Sequence, residues 1–177
     1  MHPHQLPAFA DDDKVRVVVE SPRAATVKFA YEPELCGFAL KRALPAGLAY
    51  PFDWGFIPGT RAEDGDPVDA LVLHDASTYP GVILHCKPLG MLVVEQDEES
   101  AKGPQRTRNN RVILQPAWES RLGPFNEITD LPGRLRAEIE QFFLNTTFFT
   151  TKNATSGGWQ DRAATLAFVR SCVQPKR

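Results

Sequence analysis

Two apolar patterns divide the chain, and this division constrains the fold more than any other feature. Up to about residue 114, apolar residues recur in short runs of strand character broken by turns. Beyond residue 130 they take up helical spacing. Val15, Val17 and Val19 open a strand that ends at Glu20, and Val27, Phe29 and Tyr31 alternate with Lys28, Ala30 and Glu32, leaving one polar face. Residues 38–42, 68–73, 82–87, 89–95 and 112–114 read as further strands. Segment 51–60, rich in aromatics, proline and glycine, reads as a structured loop, and 98–110 as an exposed hairpin tip or loop. Leu135, Ile139, Phe142 and Phe143 then follow i, i+4, i+7, i+8 spacing, with Asp130 as the expected cap and Pro132 in the first turn. A second helix is expected over 159–173, after Gly157-Gly158. Short strands followed by two helices predict a mainly β protein, a small barrel with helices packed outside.

Composition excludes several function classes. The 177 residues carry 20 Lys and Arg against 22 Asp and Glu, so a general nucleic-acid binder is not expected. No apolar stretch approaches the roughly 20 residues of a membrane helix. Cys36, Cys86 and Cys172 have the spacing of neither a disulfide framework nor a zinc site, and read as buried thiols of a reducing, cytoplasmic protein. Residues 1–14 hold His2 and His4 but no apolar run, so a flexible tail rather than a signal peptide is expected, followed by one domain over 15–177. The glycosylation sequons at Asn145 and Asn153 are read as chance matches.

The chemistry is concentrated in Asp64-Gly65-Asp66-Pro67-Val68-Asp69, three carboxylates on a turn that enters an apolar strand. Such carboxylates repel one another unless a cation intervenes, and oxygen ligands suit Mg²⁺ or Ca²⁺. The bland alternative is an Asp-rich surface turn. An EF-hand fits worse, because proline and aspartate stand at positions 4 and 6 and the flanks are β-like. Upstream lie Lys28, Arg42, Tyr50 and Trp54. Singly, these read as surface charges and packing aromatics. With the acidic cluster they suggest a phosphate held between metal-bearing carboxylates and opposing cations, the layout of phosphoryl transfer to water.

In order and spacing the chain resembles the soluble, type I inorganic pyrophosphatases from about Val17 to the last helix. The motif at 64–70 resembles the family signature, Glu20-Ser21-Pro22 its E-x-P, and Lys28, Arg42, Tyr50-Pro51 and Gly55-Phe56-Ile57-Pro58 fall in register with its later elements. Cys86-Lys87-Pro88-Leu89-Gly90 and Phe142-Phe143 match two further segments. The resemblance implies a five-stranded OB-like barrel with two flanking helices, Mg²⁺-dependent hydrolysis of pyrophosphate to two phosphates, and a homo-oligomer, often a hexamer in bacteria. It implies that Asp64 and Asp69 ligate metal with Glu20 nearby through water, and that Asp66 orients or deprotonates the attacking water. It also implies that Lys28 and Arg42 bind phosphate and that Tyr50 supports the site.

Several positions depart from the family pattern. Ala30 replaces a glutamate, and Trp54 replaces a tyrosine that would contact phosphate. Two family metal aspartates fall at Glu95, Gln96 or Asp97 and at Asn109, with Arg111 in place of a lysine. Thr146 and Thr147 stand where the family has a phosphate-binding tyrosine and lysine, and Lys152 reaches the site only if the intervening loop folds over it. These departures leave two alternatives open: a weakened or non-catalytic metal- and phosphate-binding protein, or a hydrolase of another phosphoanhydride or organic diphosphate.

Overall fold

The alternation of Val15, Val17 and Val19 becomes strand β1 (Val15–Ser21), the first stave of a closed barrel. The computed structural model describes residues 2–100, 103–118 and 121–175. β1 pairs antiparallel with β4 (Asp53–Ile57), β4 with β5 (Val68–Val72), β5 in parallel with β8 (Arg111–Pro116), β8 with β6 (Ile83–Ser100), and β6 closes back on β1. The five-stranded OB-like ring is therefore present. β7 (Gly103–Arg108) and β9 (Thr155–Gln160) extend it by pairing with the long β6, while β2 (Val27–Glu32) and β3 (Gly37–Ala43) form a separate ribbon.

Both faces of the central staves are buried, so their sequences read as near-continuous apolar runs. On β5 and β8, Val68, Ala70, Val72, Val112 and Leu114 join the cluster that meets Val169 and Cys172 of α2 (Arg162–Cys172). Leu71, Leu73 and Ile113 join the cluster under Ile139, Phe142 and Phe143 of α1 (Gly133–Thr146). The two-residue period thus puts Asp69 and Arg111 on the α1 side of the barrel.

Several local expectations are refined or replaced by the structure. Segment 51–60 is not a loop: β4 runs through it, buried at every position. Its Gly55 is required by close approach, since a Cβ there would lie 1.9 Å from the Val18 carbonyl oxygen. The two strands expected over 82–95 are one, β6, with a register shift between Pro88 and Gly90 where proline is tolerated. Of the two readings of 98–110, the hairpin is the one observed: the segment belongs to the β6–β7 ribbon, paired from Glu95↔Arg108 to Ser100↔Gly103. Trp159 belongs to β9, and α2 starts later, capped by the Asp161 carboxylate accepting from the Ala164 N–H at 2.7 Å. Likewise α1 starts at Gly133, with Pro132 at its cap, and Asp130 instead accepts from the N–H groups of Asn126 and Glu127. Replacing Asp161 with alanine is expected to cost about 1 kcal/mol, read as a lowered midpoint in thermal melts.

The N-terminal segment lies against the barrel: Ala8 is buried and its carbonyl accepts from the Arg16 N–H at 2.7 Å. Cys86 and Cys172 are buried as expected, whereas Cys36 is exposed at a left-handed turn.

Candidate active site

A cavity of about 220 Å³ opens between the β2–β3 ribbon, the 59–67 loop, the β6–β8 end of the barrel and the C-terminal end of α1. Asp64, Asp66 and Asp69 line it together with Lys28, Arg42, Tyr50, Trp54, Asn109 and Arg111, so most of the residues singled out from sequence converge. A larger open groove of about 1190 Å³ lies between the N-terminal segment, the 59–67 loop and residues 173–175. Among the described residues His4 and Arg61 are its only titratable lining groups, without the charge pairing of the smaller cavity.

The acidic turn is held from both sides. Buried Thr60 donates to the Ile57 carbonyl at 2.6 Å and accepts from the Val68 N–H at 2.9 Å, tying the end of β4 to the start of β5. Between them Gly65 adopts φ +92°, a conformation that favours glycine, and the Asp66 N–H donates to Asp64 Oδ1 at 3.2 Å. Asp64 is half-buried, and burial first, then the neighbouring Asp66 charge, pushes its carboxyl above the usual carboxylate range. Among the described residues neither Asp64 nor Asp66 has an ion-pair partner.

Asp69 is placed differently. The parallel register of β5 and β8 sets it opposite Arg111, and its Oδ2 pairs with the guanidinium. Arg111 also donates to Asn109 Oδ1 at 2.6 Å and lies over the Trp54 and Phe143 rings, 5.3 and 5.7 Å from their centroids. It is 9% exposed, and burial pushes its guanidinium down to about 10. Trp54 is 4% exposed and stacked on Tyr50, so its indole supports Arg111 rather than offering a free stacking face.

Lys28 on β2 and Arg42 on β3 are direct cross-strand partners. Like charges so placed repel, and an anion between them relieves the cost. Arg42 also donates to the Thr146 carbonyl at 3.1 Å, at the negative end of α1. Burial pushes the Lys28 ammonium below its ordinary range; Glu20 opposes that, while Arg111, Arg42 and Lys152 add to it. Tyr50 is buried, and its hydroxyl is pushed up to about 12, so it stays protonated.

Two sequence expectations do not reach the cavity. Glu20 is 8% exposed and its Oε1 accepts from the Tyr31 N–H at 2.8 Å, behind the lining. Glu95 points away and pairs with Arg108 at 3.6 Å. Asp97 points the same way and pairs with Arg106, so alternation along β6 leaves Gln96, between them, as the residue that lines the cavity. Glu98, two residues on, lines it as well. Glu98 has no signal of its own in a segment read as an exposed hairpin tip or loop; extending the strand through it places it on the face of Gln96.

Burial raises the Glu20 carboxyl from 4.5 to about 7. Its folded pKa exceeds its ordinary one, so the stability it contributes is full below pH 4.5 and is lost as pH rises through 7. Metal-free protein is expected to lose up to about 3 kcal/mol across that window, and Glu20→Gln to remove this part of the slope. Urea melts at both pH values check this, and equal slopes in the two proteins would contradict it.

Residues 17–176 match the sequence profile of a family described as inorganic pyrophosphatase. The chain is 38% identical over 165 residues to the inorganic pyrophosphatase of Thermus thermophilus, covering 90% of this chain and 88% of that one. It is 34% identical over 170 residues to that of Synechocystis, covering 96% of each. The crystal structure of the Thermus thermophilus protein superposes with a TM-score of 0.86 at 36% identity, over 98% of this chain and 97% of that one.

Proposed function

The chain belongs to the inorganic pyrophosphatase family and hydrolyses pyrophosphate, and from this premise we propose that the cavity of Asp64, Asp66 and Asp69 is where it does so, with Mg²⁺ as the metal. The observation that carries the assignment is charge placement. Asp64, Asp66 and Asp69 line one cavity with the cations Lys28 and Arg42, and Arg111 pairs with Asp69 in its wall.

The donor set fits a hard divalent cation. It is all oxygen, Asp64 and Asp66 repel each other without a counter-ion, and Asp69 meets Arg111 through Oδ2. No three acidic, imidazole or thiol groups converge into a closed cage among the described residues. Mg²⁺ needs no such cage: it keeps several waters and takes one or two carboxylates plus substrate phosphates. Asp64 and Asp69 would hold the ion, with buried Glu20 adding negative potential behind them. When bound, the ion supplies charge neutralisation and a more acidic attacking water.

The protein's own groups do the rest. Lys28 and Arg42 bind the phosphate oxygens and offset the charge that develops on the departing phosphate. Asp66, ion-pair-free on the turn, orients the water and accepts its proton. Protonated Tyr50 holds the ribbon side of the cavity by packing on Trp54 and Phe142. Gln96 and Asn109 are neutral, which lowers the negative charge available to metal and predicts a raised Mg²⁺ requirement.

A homo-oligomer and a cytoplasmic setting belong to the same proposal. Exposed Leu35, Leu40, Phe148 and Phe149 support the first, and three free cysteines the second. No helix among the described residues is long and apolar enough to cross a membrane. The test is phosphate release from magnesium pyrophosphate with Asp66→Asn as control; equal rates in both proteins would remove the assignment.

A further inference from the structure

The β6–β7 ribbon and the segment after α1 make a joint that the acidic motif does not explain. Segment 147–155 folds back over the cavity and is fastened to the ribbon at several points. The Asp97 N–H donates to the Lys152 carbonyl at 2.6 Å, Asn153 Nδ2 donates to Asp97 Oδ2 at 2.8 Å, and Arg106 donates to the Asn153 carbonyl at 2.7 Å. Arg106 also bonds the Thr155 hydroxyl. These contacts fix the backbone of Lys152, whose side chain lines the cavity and places Nζ 2.7 Å from Glu98 Oε1. Glu98 also accepts from Gln96 Nε2 at 2.7 Å.

The neighbouring hydroxyls are occupied. Thr146 donates to the Phe143 carbonyl at 2.8 Å, Thr147 to the Leu144 carbonyl at 3.0 Å and Thr150 to the Thr147 carbonyl at 2.7 Å. Their protons are spent inside the helix end and its following turn, so they offer a phosphate little. An ammonium has three N–H donors, and the Glu98 contact uses one. We propose that Lys152 is a further substrate-binding residue, a mobile-stemmed cation resting on Glu98 that donates to a pyrophosphate oxygen at the α1 end of the cavity, where Arg42 bonds the Thr146 carbonyl. Glu98 is its resting counter-ion: it shields the cation until an anion arrives and competes with that anion for the ammonium.

This inference rests on pyrophosphate binding in the cavity. The experiment compares wild type with Lys152→Ala, Lys152→Arg and Glu98→Gln, by steady-state kinetics with magnesium pyrophosphate and by calorimetry with Mg²⁺ and non-hydrolysable imidodiphosphate. Thermal melts verify folding. The expected result is a KM and Kd raised about 10- to 100-fold in Lys152→Ala, near-wild-type values in Lys152→Arg, and unchanged or tighter binding in Glu98→Gln. If the pair is only a clamp, Lys152→Ala and Glu98→Gln weaken binding alike, which overturns the proposal. Unchanged binding in Lys152→Ala overturns it too. A wild type that neither turns over pyrophosphate nor binds imidodiphosphate overturns the site assignment itself, a separate outcome.

Discussion

Asp66→Asn is expected to lower kcat for pyrophosphate by about 100- to 10,000-fold, the range lost when a general base is removed, while leaving the thermal midpoint near that of wild type. The activity loss follows because the amide keeps the shape and most hydrogen bonds of the carboxylate but cannot accept the proton of the attacking water. The small stability change follows because Asp66 is exposed and makes no ion pair among the described residues, so its side chain holds nothing else in place. Removing one of two adjacent acids also relieves the repulsion on Asp64. A kcat within about tenfold of wild type would remove Asp66 from the general-base role.

Asp69→Ala is expected to damage both stability and activity. Arg111 is 9% exposed, and its guanidinium depends on Asp69 for charge compensation. Among the described residues its Nε has no partner, so one donor is unmet there even in the intact pair. Breaking a buried pair from one side leaves an uncompensated charge, at a typical cost of about 3–5 kcal/mol. Replacing both partners with apolar groups is often close to neutral. The double variant Asp69→Ala with Arg111→Met, whose thioether can fill the space between Trp54 and Phe143, is therefore expected to regain most of the stability. It should regain none of the activity, because the carboxylate proposed to hold metal is still missing. Urea melts and phosphate release on the three proteins test this. Recovered turnover in the double variant would show that Asp69 serves only as the counter-ion of Arg111.

The barrel was legible in the sequence because β1 and β5 carry their pairing in alternation or apolar runs, and the flanking α1 carries its buried stripe at helical spacing. Strand β4 was hidden for a physical reason. It is buried at all five positions, so it shows no alternation, and its central glycine is there because the Val18 backbone leaves no room for a side chain. Residues 98–110 read as a hairpin tip or a loop because charges on a two-stranded ribbon alternate with other polar groups rather than with apolar ones. The hairpin is present, but without an assigned strand face Glu98 stayed concealed and Glu95, Gln96 and Asp97 undecided. The core of the site was legible because Asp64, Asp66 and Asp69 are close in sequence and Lys28 and Arg42 lie on a ribbon whose alternation shows. Lys152 carried no local signal. Its place depends on hydrogen bonds from Asp97, Asn153 and Arg106, which only the folded chain brings together.

The most direct test is the initial rate of phosphate release from pyrophosphate by the wild-type protein, measured across a Mg²⁺ titration and again after excess chelator. The account predicts turnover that rises with Mg²⁺, disappears with chelator and returns when Mg²⁺ is restored. Turnover that is indifferent to Mg²⁺ and chelator, or a rate no higher than that of Asp66→Asn at saturating Mg²⁺, would contradict it.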